Sequence, residues 1–128
     1  MVGQIDLKSE SDNLMRFKKN FAAIEGVSFP SPCAAFCHSA VMVESWEEGI
    51  PISEFFATAY ADSSPETQQL RHKLASLGVL FYLKMILFDN FLHGDLQPGN
   101  LFVKFEDDGG NSIYLNIYIC VCVCVCVY

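Results

Sequence analysis

Basic residues are scarce in this chain. Its 128 residues hold 8 Lys and Arg against 15 Asp and Glu, for a net charge of −7. That balance argues against nucleic-acid binding, whose affinity comes from neutralising phosphates. Lys8 and the Arg16-Phe17-Lys18-Lys19 cluster lie near the N-terminus. They read as a solvated helix face rather than a phosphate patch. No run of about 18 apolar residues occurs, the length a membrane span needs. Leu77 to Leu92 comes nearest, but Lys84, Asp89 and Asn90 interrupt it, so a buried helix is expected. No signal or transit peptide is visible, because Asp6, Glu10 and Asp12 load the opening with acids. An organellar address would lie upstream of Met1. Cys33, Cys37 and His38 could offer three metal ligands but lack a convincing fourth, and structural zinc wants four. They read as buried or free thiols. Hydrophobic residues make up 52% of the chain. That is ample for the core of one domain at most.

What is present centres on His93-Gly94-Asp95-Leu96-Gln97-Pro98-Gly99-Asn100. His-x-Asp followed by four residues and Asn suits phosphoryl transfer. The Asp accepts or orients a hydroxyl proton, and the Asn holds a metal that bridges nucleotide phosphates. The His props the loop. Pro98 and Gly99 shape the backbone so that Asp95 and Asn100 face one site. A long apolar helix pattern precedes the loop and a strand-like run, Leu101 to Phe105, follows it, the context such a motif requires. The bland reading is a polar turn in which Asp95 caps a backbone N–H.

The motif resembles the catalytic loop of protein-kinase-like enzymes. Its Gly-Asp and Pro-Gly-Asn form is closer to the UbiB/AarF-domain (ADCK-like) atypical kinases and to small-molecule phosphotransferases than to ordinary protein kinases. Met85 to Leu92, leading into the loop, resembles the UbiB/AarF family specifically, as does Val41 to Gly49. The resemblance covers roughly residues 4–112. It implies an α+β fold: an incomplete kinase-like domain, mainly helical C-lobe with part of the N-lobe. It implies catalytic roles for Asp95 and His93, metal binding at Asn100, and nucleotide contacts at Glu10, Glu47 and Gly49. ATP and Mg2+ are the cofactors implied. Ubiquinone (coenzyme Q) biosynthesis in mitochondria is the implied role, with other proteins of that process as partners. By the same resemblance, Gln4-Ile5-Asp6 sits where the family has acid-x-Asp, so Gln4 departs from the pattern. Glu10 normally pairs with a strand Lys that would lie before Met1. Its bland reading is an exposed helix acid.

Taken in order, residues 4 to about 22 predict a helix, with Ile5, Leu14, Phe17 and Phe21 near one face and Gly26 ending it. Val27 to Pro30 reads as a short strand and Ala40 to Glu44 as a second. Trp46 to Gly49 resembles the hinge between kinase lobes, with Gly49 letting the chain turn. Ser53 to about Tyr60 reads as a helix with Ser53 as N-cap. Ser63 and Glu66 form a capping box, with Pro65 in the first turn. The helix they open runs to about Phe88, its core face formed by Leu70, Leu74, Leu77, Phe81, Met85 and Phe88. Leu101 to Phe105 is a strand, and Asp107 to Asn111 a hairpin turn.

The next strand should end in a second metal-binding Asp followed by Gly. Residues 113–128 instead run into alternating Cys and Val. Ile-Tyr-Ile is what a repeated AT dinucleotide encodes, and Cys-Val what a repeated TG dinucleotide encodes. The segment therefore reads as a low-complexity tail, the translation of a dinucleotide repeat. Its four alternating cysteines could chelate a soft metal or cross-link chains. Its high β-propensity without charge or proline signals aggregation. With the nucleotide loop, strand Lys and Asp-x-Gly lacking, this chain is expected to be an inactive fragment of such a kinase. The alternatives are a non-catalytic pseudokinase-like binding module or non-functional product, and thirdly a small-molecule phosphotransferase.

Overall fold

The computed structural model describes residues 6–107 and 113–119. Asp6 starts the first helix. Its carboxylate accepts hydrogen bonds from the Lys8 N–H at 3.1 Å and the Ser9 hydroxyl at 3.0 Å. Such a cap satisfies donors that the first turn leaves open. Helix α1 accordingly spans Leu7–Asn20, three residues later than the spacing predicts. Glu10 in its first turn and Lys18 and Lys19 in its last complement the helix dipole. It ends at Phe21, whose N–H bonds Phe17 O at 3.0 Å. Gly26 is not the stop. It lies beyond the helix at φ 82° and turns the chain into strand β1, Val27–Ser28.

The second predicted strand, Ala40 to Glu44, does not form. Residues 31–33 and 43–45 are stitched by isolated bonds instead, Cys33 N–H to Val43 O at 2.7 Å and Ser45 N–H to Ser31 O at 2.9 Å. The bridges there, Pro32 to Glu44 and His38 to Val41, stay single. Pro32 has no N–H to extend a ladder. Strand β2, Ile50–Pro51, runs straight into helix α2, Ile52–Ala61. Pro51 is the N-cap residue, and no side chain caps this helix. Ser53, expected as the cap, lies inside it.

Helix α3 spans Pro65–Leu87. Its cap is Ser64, one residue after the expected Ser63, with the hydroxyl accepting from the Thr67 N–H at 3.3 Å. Asp62 fixes the choice. It accepts from the Ser64 N–H at 2.9 Å, the Ser64 hydroxyl at 3.0 Å and the Thr67 hydroxyl at 2.6 Å. Leu74, Phe81 and Met85 are buried on the face expected, with Leu70 and Leu77 packed beside them. Phe88 is not part of that core and is 81% exposed. Past Leu87 the chain breaks from helical geometry. Lys84 O takes both the Phe88 and Asp89 N–H groups, and Asn90 adopts φ 44°. Phe91, not Phe88, reaches inward.

Strands β3, Leu101–Asp107, and β4, Ile113–Ile119, pair antiparallel with Leu101 opposite Ile119. The sheet order is β1-β4-β3-β2. β1 joins β4 in parallel, Val27 opposite Ile117, and β2 joins β3 antiparallel, Ile50 opposite Val103. Seven residues assigned from sequence to the tail thus supply an inner strand of the sheet. Mixed helix and strand content agrees with the expected α+β class. Gln4, the turn at residues 108–112 and the Cys-Val run from Cys120 lie outside the described residues. The core gathers α1, β1, α2, α3 and β3 around Leu14, Phe17, Phe21, Phe29, Phe81 and Val103. Phe21 touches Phe81 at 4.9 Å and Phe29 at 5.5 Å between ring centroids, separations typical of favourable aromatic pairs. The described helices contain none long and apolar enough to cross a membrane.

Candidate active site

The loop between α3 and β3 is held at both ends before any of its polar groups act. At its start, the Phe91 N–H bonds Met85 O at 3.0 Å, tying the loop to the last turn of α3. Lys84 Nζ reaches both Asp89 oxygens, at 2.6 and 2.8 Å, with both side chains mostly buried. Phe91 packs on Phe17 at 4.5 Å between ring centroids, and the Arg16 guanidinium carbon lies 3.9 Å from the Phe91 ring centroid. At the end, Pro98–Asn100 forms a single tight turn, with the Asn100 N–H on Gln97 O at 2.9 Å. The chain then enters β3. Neither Gly94 nor Gly99 sits at a positive φ or against a close neighbour.

Inside this frame, Asn100 and Asp95 meet. The Asn100 side-chain Nδ2 donates to the Asp95 backbone carbonyl at 3.0 Å and to Asp95 Oδ2 at 2.9 Å. Asn100 is only 2% exposed, whereas Asp95 faces solvent. Gln97 Nε2 adds a third donor to Asp95 Oδ2 at 3.3 Å. Both amide hydrogens of Asn100 are therefore committed, which leaves its oxygen as the atom a cation would take. The bland reading of Asp95, a side chain capping a backbone N–H, is not what the loop shows.

His93 lies behind them. It is buried, and its ring packs 5.5 Å from Phe17 on α1. The Asp95 N–H donates to His93 Nδ1 at 3.1 Å, so that nitrogen carries no proton. Burial pushes the His93 pKa below its usual value, and the charges of Asp95 and Glu10 pull weakly the other way. The buried imidazole thus lies behind the Asp95 backbone and accepts its N–H. Glu10, half-buried on α1, is near enough for His93 to feel its charge. Asp95 and Asn100 are thus in direct contact, His93 is bonded to the Asp95 backbone, and Glu10 reaches His93 through its charge.

Glu47 and Gly49 stand apart from this group. Glu47 accepts from the Ser45 hydroxyl at 2.7 Å. It lines a groove of about 360 Å3 with Lys18, Phe21, Ile24, Val27 and Phe29. Gly49 does not sit at a positive φ. A Cβ there would come within 3.0 Å of Phe102 Cβ and 3.2 Å of Val103 O. Its job is to let the hinge-like segment lie directly on β3, the strand that leaves the loop. Trp46 beside it is 88% exposed.

Glu44 is the residue that the sequence did not single out. Its Oε2 is buried without a hydrogen-bond partner. Burial, helped by the charge of Glu47, lifts its pKa from 4.5 to about 7. The signal in the sequence was an acid closing an apolar run, with Glu47 and Glu48 three and four residues on. The folded protein holds the Glu44 proton more tightly than the unfolded chain does. Its contribution to stability is therefore full below about pH 4.5 and lost as pH rises through 7. Glu44→Gln should match the parent in urea unfolding at pH 4.5. It should exceed it by about 1 kcal/mol at pH 8, solvent access having screened the rest.

Cys37 is buried, and its thiol donates to Cys33 O at 3.3 Å and Val43 O at 3.5 Å. Cys33 is an exposed free thiol. Among the described residues no three His, Cys, Asp or Glu side chains converge as a metal site. Asp95 and Asn100 are a two-donor pair of hard oxygens, which fits Mg2+ held partly by water and phosphate.

The comparisons agree with this architecture. The family model described as ABC1 atypical kinase-like domain matches residues 1–119. A probable serine/threonine-protein kinase abkC of Dictyostelium discoideum is 38% identical over 84% of this chain and 14% of its own length. An ABC1 family protein of Saccharomyces cerevisiae, named as mitochondrial, is 34% identical over 80% of this chain and 15% of its own length. A probable protein kinase UbiB from Shewanella sp. (strain MR-4) is 30% identical over 91% of this chain and 20% of its own length. The chain therefore spans a fifth or less of these relatives. No solved structure matches it.

Proposed function

The chain belongs to the ABC1 atypical kinase-like family, and from that premise we propose that His93 to Asn100 is its phosphoryl-transfer loop, working on ATP. The observation that carries this is the buried Asn100 amide clasping both the carbonyl and the carboxylate of Asp95. One side chain thereby sets the direction of the other, and positioning is most of what phosphoryl transfer asks of a protein. Asp95 presents its free oxygen to the acceptor hydroxyl and orients or takes its proton. His93 holds the Asp95 backbone from beneath. Asn100 offers its oxygen to Mg2+. That ion, when bound, neutralises charge on the phosphate oxygens. Glu10 bears on the loop through His93, and the hinge-like segment with Glu47 and Gly49 supports the nucleotide side.

The longer protein of this kind acts in ubiquinone biosynthesis in mitochondria. The names of the UbiB relative and of the mitochondrial yeast relatives support that reading. The 128-residue chain by itself transfers no phosphate. Among the described residues Asp95 is the single carboxylate in contact with Asn100, and two metals need more donors than this pair supplies. That shortfall also favours a second reading, a nucleotide- or partner-binding module without turnover.

Titration with a fluorescent ATP analogue, with and without Mg2+, separates these. Weak binding that disappears on chelation supports the loop assignment. Equal binding in both conditions removes Asn100 as a metal ligand. Transfer of label from ATP by this chain would overturn the claim that it is inactive.

A further inference from the structure

Helix α3 stops before its own pattern does. No glycine or proline lies between Gly78 and Gly94 to end it. Phe88 and Asp89 stand three and four residues after buried Met85, so one further turn would bring both onto the core face. The helix nevertheless ends at Leu87, Phe88 is 81% exposed, and Phe91 packs against the core in its place. One contact is open to the stopped helix and closed to a longer one. Lys84 Nζ bonds both oxygens of Asp89, at 2.6 and 2.8 Å, across five residues. On a continuous helix, side chains five apart point roughly 140° from each other, whereas those that meet are spaced by three or four. Continuing α3 would therefore part the two charges and turn Asp89 to the apolar core. A buried charge without its partner is strongly unfavourable. Both side chains are already mostly buried, at 18% and 12% exposed, and Lys84 Nζ lies 4.8 Å over the Phe21 ring of α1.

We infer that Lys84 and Asp89 are positioning residues for the loop: their ion pair decides where α3 ends, and so that Phe91 rather than Phe88 enters the core. That choice sets the loop that follows. With the helix stopped at Leu87, the Phe91 N–H reaches Met85 O at 3.0 Å and its ring lies on Phe17 at 4.5 Å. Phe17 also packs on the His93 ring at 5.5 Å, and His93 Nδ1 accepts the Asp95 N–H at 3.1 Å. One more turn of helix would move the Phe91 N–H to Leu87 O, the partner four residues back. Phe91, six residues after Met85, would then leave the core face and its place on Phe17. His93 would lose the ring that seats it, and Asp95 the nitrogen that holds its backbone. The consequence for ATP rests on the function proposed above. The control of the helix end does not.

Exchanging the pair for apolar side chains of similar size tests this, because such an exchange often keeps or raises stability. Lys84→Met with Asp89→Leu, in the full 128-residue chain kept reduced, should unfold at or above the parent's urea midpoint. Its helix signal in circular dichroism should rise as α3 takes up another turn. Amide hydrogen exchange read by NMR should quicken at Asp95, whose N–H leaves His93, and slow at Asn90, whose N–H gains Ile86 O. Exchange at Leu14 in the core should stay as in the parent. Mg2+-dependent binding of the fluorescent ATP analogue should be lost. Lys84→Arg, which keeps a cation facing Asp89, should retain the parent's exchange at Asp95. Asp89→Asn changes the charge alone and should shift Asp95 and Asn90 in the same directions, so it carries the test if the double variant does not fold. Unchanged exchange at Asp95 and Asn90 would overturn the inference. So would a uniform rise across all amides, the result of a pair that only adds stability. A parent chain that binds no ATP analogue removes the phosphoryl-transfer reading alone, and the exchange data still decide the role of the pair.

Discussion

Asn100→Ala is expected to lower Mg2+-dependent nucleotide affinity by about 100-fold or more, with helix content unchanged. Two losses combine in this variant. The oxygen that would meet the cation disappears, and so do the two Nδ2 hydrogen bonds that set the Asp95 carbonyl and carboxylate. Asp95 faces solvent, and Gln97 Nε2, at 3.3 Å, is the contact to its carboxylate that would remain among the described residues. Asn100→Asp separates the two losses. It keeps an oxygen donor but puts two carboxylates at hydrogen-bond distance, where one of them resists ionisation. Its Mg2+ binding should return as pH rises, whereas the alanine variant should stay weak at every pH. Isothermal titration with Mg2+ and nucleotide at two pH values reads the difference. Equal affinity in Asn100→Ala and the parent would remove the site from this loop.

Met85→Ala should cost about 2–5 kcal/mol of stability, the range for truncating a buried Met. Met85 has no solvent exposure and sits among the core residues of α3. Phe21 and Phe81 of the same core pack on each other at 4.9 Å between ring centroids, and such a packed core relaxes only partly around a lost side chain. In a chain of this size the loss corresponds to a fall of roughly 10–25 °C in Tm. The carbonyl of Met85 also anchors the loop through the Phe91 N–H. Backbone bonds survive the substitution, but the turn that presents the carbonyl is less firmly packed. Nucleotide binding should therefore weaken below the melting transition, before the fold is lost. A thermal scan read by circular dichroism, beside a binding titration at a temperature well under Tm, checks both parts.

The loop was legible because its geometry is local. His93, Asp95 and Asn100 lie within eight residues, and the turn at Pro98 to Asn100 lets Asn100 reach Asp95. The α3 stripe was legible for a similar reason, since helical spacing alone selects Leu74, Phe81 and Met85. What escaped the sequence depends on elements that arrive from far along the chain. Gly49 matters through β3, which is brought against it only by the sheet, so its need for a missing Cβ has no local sign. Glu44 is perturbed by burial, which its own neighbours do not reveal. Ser63 and Ser64 offer the same hydroxyl, and Asp62 decides between them by bonding three donors around Ser64. Phe88 continued the periodicity perfectly well but lay one residue past the end of the helix. The segment from Ile113 was read by its coding repeat. Its Ile and Tyr residues are nonetheless of the β-branched and aromatic kinds that favour strands.

The parallel pairing of β1 with β4 sets an order of events in folding. Val27 must wait for Ile117, so β1 is closed by a strand that lies beyond all three helices in the sequence. During synthesis α1, α2 and α3 can gather by near-neighbour contacts while β1 still lacks its strand partner. Closing so long a loop is an entropic cost met late, and pairings of high sequence separation form slowly. Until β4 emerges, β1 and the open edge of β3 stand exposed together. The vulnerable interval for this fold is thus the time before residues 113–119 emerge, when chaperone contact or misassembly with a neighbouring chain competes with β4.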